Sequence, residues 1–319
     1  MPGKPRVLYF RNLAYSPAAR ELLERCFEVI EVDDPRDETA AVLARIDVLT
    51  APLGFPVTAE RMAQAPRLKA IISNTTGVPH IDMAEAARRA ISVCALHDEQ
   101  AFLDTITPTA EHTIGLMLAA WRRIPAAHGA VLDGEWDRRP WGAPRMFSRM
   151  RLGLVGYGRL GAKVGRIAQA MDMNVAFYDP HVAGGMASLA ALAARSDVLS
   201  LHAPAIDSTI KLVSRGVLEA LPRGAMVVNT ARGELLDVGA LLDLLENGHL
   251  AAAGLDVLDG EYEPGFADVL AHSRVLAYAR SHDNLVLTPH IGGSTVDAWS
   301  ETQCFVVRKA ARVLGTDIA

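Results

Sequence analysis

The chain has little of what marks several broad protein classes. Its 319 residues include three cysteines, Cys26, Cys94 and Cys304. They are widely separated and lack the paired spacing of a disulfide framework, a zinc site or a redox motif. Reduced thiols in a cytoplasmic protein are the expectation. Positive charge is short as well: 32 Lys and Arg against 37 Asp and Glu leave a net charge of −5. A nucleic-acid binder would normally present a basic face, and nothing here invites an anionic membrane surface. The longer apolar runs, such as IGLMLAAW at 114–121, fall far short of the roughly 20 residues that span a bilayer. The opening MPGKPRVLYF passes straight into a strand-like run, so no signal peptide is expected. Repeats and low-complexity tracts are missing too.

What remains is an ordinary globular composition, 50% hydrophobic and 22% charged, in a chain about twice the usual single-domain length. Short β-like runs stand at 6–10, 27–32, 47–52, 68–73 and 91–96, with helix-patterned segments such as SPAARELLERC (16–26) and ETAAVLARI (38–46) between them. A long helical pattern follows over 108–136, opened by Pro108. The alternation then restarts at 151–156, 174–179, 197–203, 225–231, 251–257 and 284–290. Strands alternating with helices predict parallel sheets covered on both faces. The fold class expected is α/β, with two doubly wound parallel-sheet domains, Rossmann-like or flavodoxin-like, and a cleft between them.

LGLVGYGRLG places Gly156, Gly158 and Gly161 as G-x-G-x-x-G after an apolar strand and at the start of a helix. The first glycine permits a tight turn, the second lets the backbone approach a pyrophosphate, and the third allows close helix–strand packing. The next predicted strand ends in Asp179, 18 residues past Gly161, where a carboxylate accepts hydrogen bonds from a ribose diol. The same charge repels a 2′-phosphate, and His181 rather than arginine follows nearby, so NAD(H) is the expected cofactor.

In an open parallel sheet, ligands lie beyond the carboxyl ends of the strands. Arg232 follows one predicted strand, Asp256 ends the next, and His290 ends the last. A cation, a carboxylate and an imidazole thus gather where a nicotinamide ring would lie. His97, Asp98 and Glu99 are adjacent loop residues that point in different directions, so no metal site is expected.

GYGRLG with YDP, NTARGELLD, GLDVLDGE and TPHIGGST, in this order, resemble the D-isomer-specific 2-hydroxyacid dehydrogenase family; TTGVPHID (75–82) and TPTAEHTIGLML (107–118) resemble its substrate-domain signature and crossover helix. The resemblance covers nearly the whole chain. It implies hydride transfer between NAD(H) and a 2-keto/2-hydroxy acid pair, with Arg232, Glu261 and His290 as the catalytic set. His290 would exchange a proton with the substrate oxygen, and Arg232 would grip the substrate carboxylate. The resemblance also implies cofactor contacts from Arg159, Leu160, Ala203, Pro204, Thr230, Ala231, Gly292 and Gly293, and a carboxamide contact from Asp256. Backbone N–H groups at Thr76 and Gly77 would cradle the substrate carboxylate. The implied domains are 1–103 with 292–319 for substrate and 104–291 for NAD, in a homodimer that uses the region of Trp121, Arg122 and Arg123. Phosphite oxidation keeps the Arg–Glu–His set and stands as an alternative reaction. An NAD-sensing, corepressor-like binding protein is a further alternative, and the chain shows none of the added arms that such work uses.

Pro79 and His80 stand where the family commonly has an Asp-Asn pair. The chain also stops soon after the helix following His290, which favours the short forms over the long allosteric phosphoglycerate dehydrogenases. Two glutamates compete in LDGEYEPG. The family usually shows Asp-Val-aromatic, two residues, then Glu-Pro. Counting from Asp256 selects Glu261, whereas the Glu-Pro dipeptide is Glu263-Pro264. The count is preferred, because the strand sets how far the first loop residues reach.

Overall fold

The computed structural model describes residues 3–142 and 144–316. These form two compact units: the chain up to Ile106 together with the segment from Ser294 on, and Thr107–Gly293. Both are α/β with a parallel sheet.

In the first unit, β1 (Arg6–Phe10), β2 (Glu28–Val32), β3 (Val48–Thr50), β4 (Ala70–Ile72) and β5 (Ser92–Cys94) lie in the order β2-β1-β3-β4-β5. Successive residues along a strand face opposite sides. Val7, Tyr9, Val48, Ala70 and Ile72 enter one apolar cluster, while Leu8, Phe10, Leu49 and Ile71 enter another. Both faces are therefore buried, which is why these strands read as continuous apolar runs. The helix Val296–Leu314 closes this unit, placing Val306, Val307, Ala310 and Ala311 against the cluster that holds Val7 and Ile72.

In the second unit, β6 (Arg151–Val155), β7 (Asn174–Tyr178), β8 (Val198–Leu201), β9 (Ala225–Asn229), β10 (Leu250–Leu255) and β11 (Leu285–Leu287) lie in the order β7-β6-β8-β9-β10-β11. Alternation again supplies two cores: Leu199, Leu201 and Val227 on one face, Leu152, Leu154, Met226 and Val228 on the other. The order reverses at β6, whose neighbours are β7 and β8. A ligand crevice is expected beyond such a switch point.

The two units divide within a few residues of the expected bounds, and one helix expectation is corrected. The division falls after Ile106 and after Gly293, because Thr105 and Ile106 continue the turn of the helix Gln100–Leu103 by bonding Phe102 and Leu103 carbonyls, whereas Ile291 and Gly292 are tied to Asp256 of the second unit. The long helical pattern is two helices, Pro108–Trp121 and Ile124–Leu132, separated at Arg123 with φ +51°. Pro125 fits the break: it has no N–H to bond the Trp121 carbonyl four residues back, and its ring would clash with that carbonyl in a continuous helix. Trp121 donates its indole N–H to the Arg145 carbonyl at 2.9 Å, and Arg123 pairs with Asp283 at 3.4 Å.

Candidate active site

The glycine cradle sits at the switch point. Gly156 has φ +92°, and a Cβ there would lie 2.8 Å from the backbone N of Ala203. A Cβ at Gly161 would lie 2.3 Å from the Gly156 carbonyl oxygen. Both glycines are thus required by the fold itself. Gly158 is different: its φ of −71° is open to any residue, and nothing lies within 4 Å of a Cβ added there. Its missing side chain leaves open space over the first turn of the helix Arg159–Ala170, which has no side-chain cap. Uncapped N–H groups beneath an unfilled space fit a dinucleotide's phosphates. Asp179 is fixed beside them, one oxygen accepting the Tyr157 N–H and the other the His181 N–H, each at 2.8 Å. Each oxygen keeps lone-pair capacity for a ribose hydroxyl. Ala203 follows β8 against Gly156, and Pro204 comes next. His202, just before them, is bonded to Ser200 at 2.9 Å, and burial pushes its imidazole down to about 4.

At the ends of β9 and β10, two loops are pressed together. Buried Asn229 accepts the Ala231 N–H at 3.0 Å and donates to the Arg232 carbonyl at 2.8 Å, so one amide shapes the loop that carries Arg232. Gly233 follows, and a Cβ there would lie 2.0 Å from the backbone of Leu258. Only glycine admits that approach. The approach brings Arg232 beside the segment bearing Glu261. The hydroxyl of Thr230 bonds that of Thr113 at 2.6 Å and is buried.

His290 adopts φ +51°, a left-handed backbone that costs energy for a non-glycine residue. Asp256 maintains it. Its carbonyl accepts the His290 N–H at 2.7 Å, and its carboxylate accepts the N–H groups of Ile291 at 2.9 Å and Gly292 at 2.8 Å. Thr288 donates to the same carboxylate at 2.6 Å, and His112 Nε2 lies 3.2 Å away. Burial alone would raise the Asp256 carboxyl; the bonds from His112, Thr288, Gly292 and Ile291 outweigh it and hold it below the ordinary range. The side chain is 1% exposed, so its oxygens are committed to the loop that carries His290. Gly292 packs against that carboxylate, and a Cβ there would lie 2.8 Å from Oδ2. The expectation that Asp256 and Gly292 also contact the cofactor stands beside this structural role.

Beyond the bend, Oε1 of Glu261 lies 2.7 Å from Nδ1 of His290. Glu263 instead closes a turn by donating its N–H to Gly260 and is exposed. The hydroxyl of Tyr262 is 3.0 Å from the same Nδ1. Sequence patterns alone do not single out Tyr262, Asn229 and Thr288. Asn229 and Thr288 look like ordinary strand-end polar residues, and Tyr262 like a loop residue following Glu261.

In the first unit, the loop after β4 carries Thr76 and Gly77. Thr75 donates its hydroxyl to the Gly77 carbonyl at 2.7 Å and bonds Ser73, which lies 3.3 Å from His80 Nε2. The unusual His80 is thus a buried anchor of this loop, and burial lowers its imidazole below the ordinary value. The N–H groups of Thr76 and Gly77 meet no acceptor among the described residues. His97 pairs with Asp98, and Glu99 with Lys309, so these three side chains do not converge.

Residues 114–292 match the family model described as the NAD binding domain of D-isomer specific 2-hydroxyacid dehydrogenases. The D-3-phosphoglycerate dehydrogenase of Mycobacterium tuberculosis is 34% identical over 303 residues, 92% of this chain and 54% of that protein, so the chain spans about half of its length. The glyoxylate reductase of Thermofilum pendens is 32% identical, with 98% of this chain and 92% of that protein covered. Among solved structures, the TT0316 protein of Thermus thermophilus is similar with a TM-score of 0.82 at 31% identity, over 97% of both chains. With the nucleotide cradle, the parallel sheets and these matches in agreement, the chain belongs to the D-isomer specific 2-hydroxyacid dehydrogenase family, a family of oxidoreductases, and carries its NAD binding domain.

Proposed function

We propose that the protein interconverts a 2-keto acid and the corresponding D-2-hydroxy acid, reducing the one with NADH and oxidising the other with NAD. The observation that carries this is the His290–Glu261 pair at 2.7 Å, on a loop whose strained backbone Asp256 maintains. Glu261 occupies Nδ1, which leaves Nε2 as the edge free to give or take a proton. An imidazole can give a proton in one direction and take it back in the other. Glu261 stabilises the imidazolium and orients the ring. Arg232, held beside the Glu261 segment by Gly233, would grip the substrate carboxylate and polarise the keto oxygen. In the first unit, the N–H groups of Thr76 and Gly77 would be neutral donors suited to a carboxylate.

Gly156, Gly158 and Gly161 with the backbone of Arg159 and Leu160 would hold NAD(H) by its phosphates, and Asp179 by its ribose. Ala203, Pro204, Thr230, Ala231 and Gly293 would line the rest of its path. Bound NADH would supply the hydride; the proton, the orientation and the charge stabilisation fall to this chain. Asp256 acts in this reading through the loop of His290.

A homodimer is part of the same proposal. The helix Ile124–Leu132 is apolar, yet buries none of its residues. It borders a groove of about 550 Å³ lined by Leu118, Ile124, Val131, Arg122 and Trp141. A second copy would cover it. The thiols of Cys94 and Cys304 suit a reducing, cytoplasmic setting. Among the described residues no helix is long and apolar enough to cross a membrane.

Steady-state NADH oxidation with glyoxylate, hydroxypyruvate, pyruvate and bulkier 2-keto acids tests the reading. Saturable turnover with at least one is expected; NADH binding with no turnover across the panel would defeat it.

A further inference from the structure

Adjacent residues in a loop ordinarily point apart, yet Glu261 and Tyr262 converge on one atom. Oε1 of Glu261 is 2.7 Å and the hydroxyl of Tyr262 is 3.0 Å from Nδ1 of His290. Two consecutive turns produce this. Glu261 donates its N–H to the Leu258 carbonyl at 3.3 Å, and Glu263 donates to the Gly260 carbonyl at 2.8 Å. Gly260 between them has φ +76°, the left-handed region that glycine enters most readily. Tyr262 stands where the family pattern continues from glutamate to proline, a residue with no hydroxyl to offer.

We propose that Tyr262 is a positioning residue for the reaction, sharing the Nδ1 edge of His290 with Glu261 and fixing the plane of the ring. The inference rests on the reading of His290 as the proton donor. One hydrogen bond leaves an imidazole free to swivel about the line of that bond. A second contact off that line removes the freedom, so Nε2 is presented in one direction. The two rings lie 5.7 Å apart at 49°, too tilted for stacking to do this alone.

The hydroxyl is suited to the task because it stays neutral. Although Tyr262 is 41% exposed as a whole, partial desolvation of its hydroxyl, and then the charge of Glu261, push the phenol up to about 12, with Glu234 and Asp256 adding to this and Arg232 opposing it. A neutral hydroxyl takes a minor share of the Nδ1–H through its oxygen lone pair and leaves the major share to the carboxylate. When Nδ1 is bare, the same hydroxyl can donate to it. Tyr262 therefore keeps a bond to the ring in either neutral tautomer, which Glu261 alone cannot do.

Tyr262→Phe in the full chain, alone and combined with Glu261→Gln, tests this against wild type. The ring is retained, so thermal stability and NADH affinity serve as controls. The expected result is a kcat for reduction about 3- to 10-fold lower, the range of a single neutral hydrogen bond. The alkaline limb of the pH–rate profile should move to lower pH, because one acceptor of the Nδ1–H is gone. The two substitutions should also be non-multiplicative, since they act on one atom. An unchanged kcat and profile in Tyr262→Phe, or the same factor in both backgrounds, overturns the proposal. His290→Ala separates the two readings: if it retains turnover, the role of His290 fails; if it abolishes turnover while Tyr262→Phe is silent, only the role of Tyr262 fails.

Discussion

Asp256 and His290 are joined through the backbone and not through their side chains: the Asp256 carbonyl accepts the His290 N–H at 2.7 Å, and its carboxylate holds the next two N–H groups. A buried carboxylate thereby keeps a histidine in a left-handed conformation that it would not adopt unaided. The imidazole is set at the bend, within reach of Glu261.

Glu261 and Glu263 should separate cleanly. Glu261→Gln replaces the carboxylate 2.7 Å from Nδ1 and should lower kcat by about 10- to 100-fold, the range of a charge-assisted hydrogen bond. Glu263→Gln should leave kcat within about twofold. Equal losses in the two variants would show that the contact to His290 carries no special weight.

Arg232→Ala should lower kcat/KM for the keto acid by about 10²–10³ while NADH affinity is kept. The loop itself is shaped by Asn229 and Gly233, so the fold should survive, and circular dichroism checks that. Unchanged KM and kcat would remove Arg232 from the site.

Asp179→Ala should relax cofactor choice. Its carboxylate is anchored by Tyr157 and His181 N–H groups and would repel a 2′-phosphate by like charge. The ratio of kcat/KM with NADH to that with NADPH should fall by about tenfold or more. A ratio that does not move would count against the ribose contact.

His202 should make stability depend on pH. Its folded value is lowered to about 4 by burial, below the ordinary value near 6.5. Between these values the unfolded chain binds a proton that the native state refuses. Stability therefore falls as pH drops from about 6.5 towards 4, by at most about 1.4 kcal/mol per pH unit. Urea midpoints at pH 7 and pH 5 measure it, and His202→Gln should show the smaller decline. Parallel declines would assign the loss to other groups.

Much of this was legible in the chain. Strands buried on both faces read as apolar runs, and the glycine spacing marked the cradle, because both signals are local. The count from Asp256 singled out Glu261 over Glu263 for a physical reason, since the end of a strand limits where the next few residues can reach. Less legible were roles set by contacts between distant segments. Asp256 reads as a strand-end acid in the sequence, and its commitment to the N–H groups of Ile291 and Gly292 emerges only when β10 and β11 pair. Tyr262 was visible as a departure, but its convergence on Nδ1 depends on two turns around Gly260. The break at Arg123 was within reach, because Pro125 marks it.

The most direct test of the central claim is the rate of NADH-dependent keto acid reduction by His290→Ala against wild type, with NADH affinity measured on both. The account predicts a kcat lower by about 10²–10⁴, the range for loss of a general acid–base group, with NADH affinity nearly intact. Turnover within a few fold of wild type would contradict it.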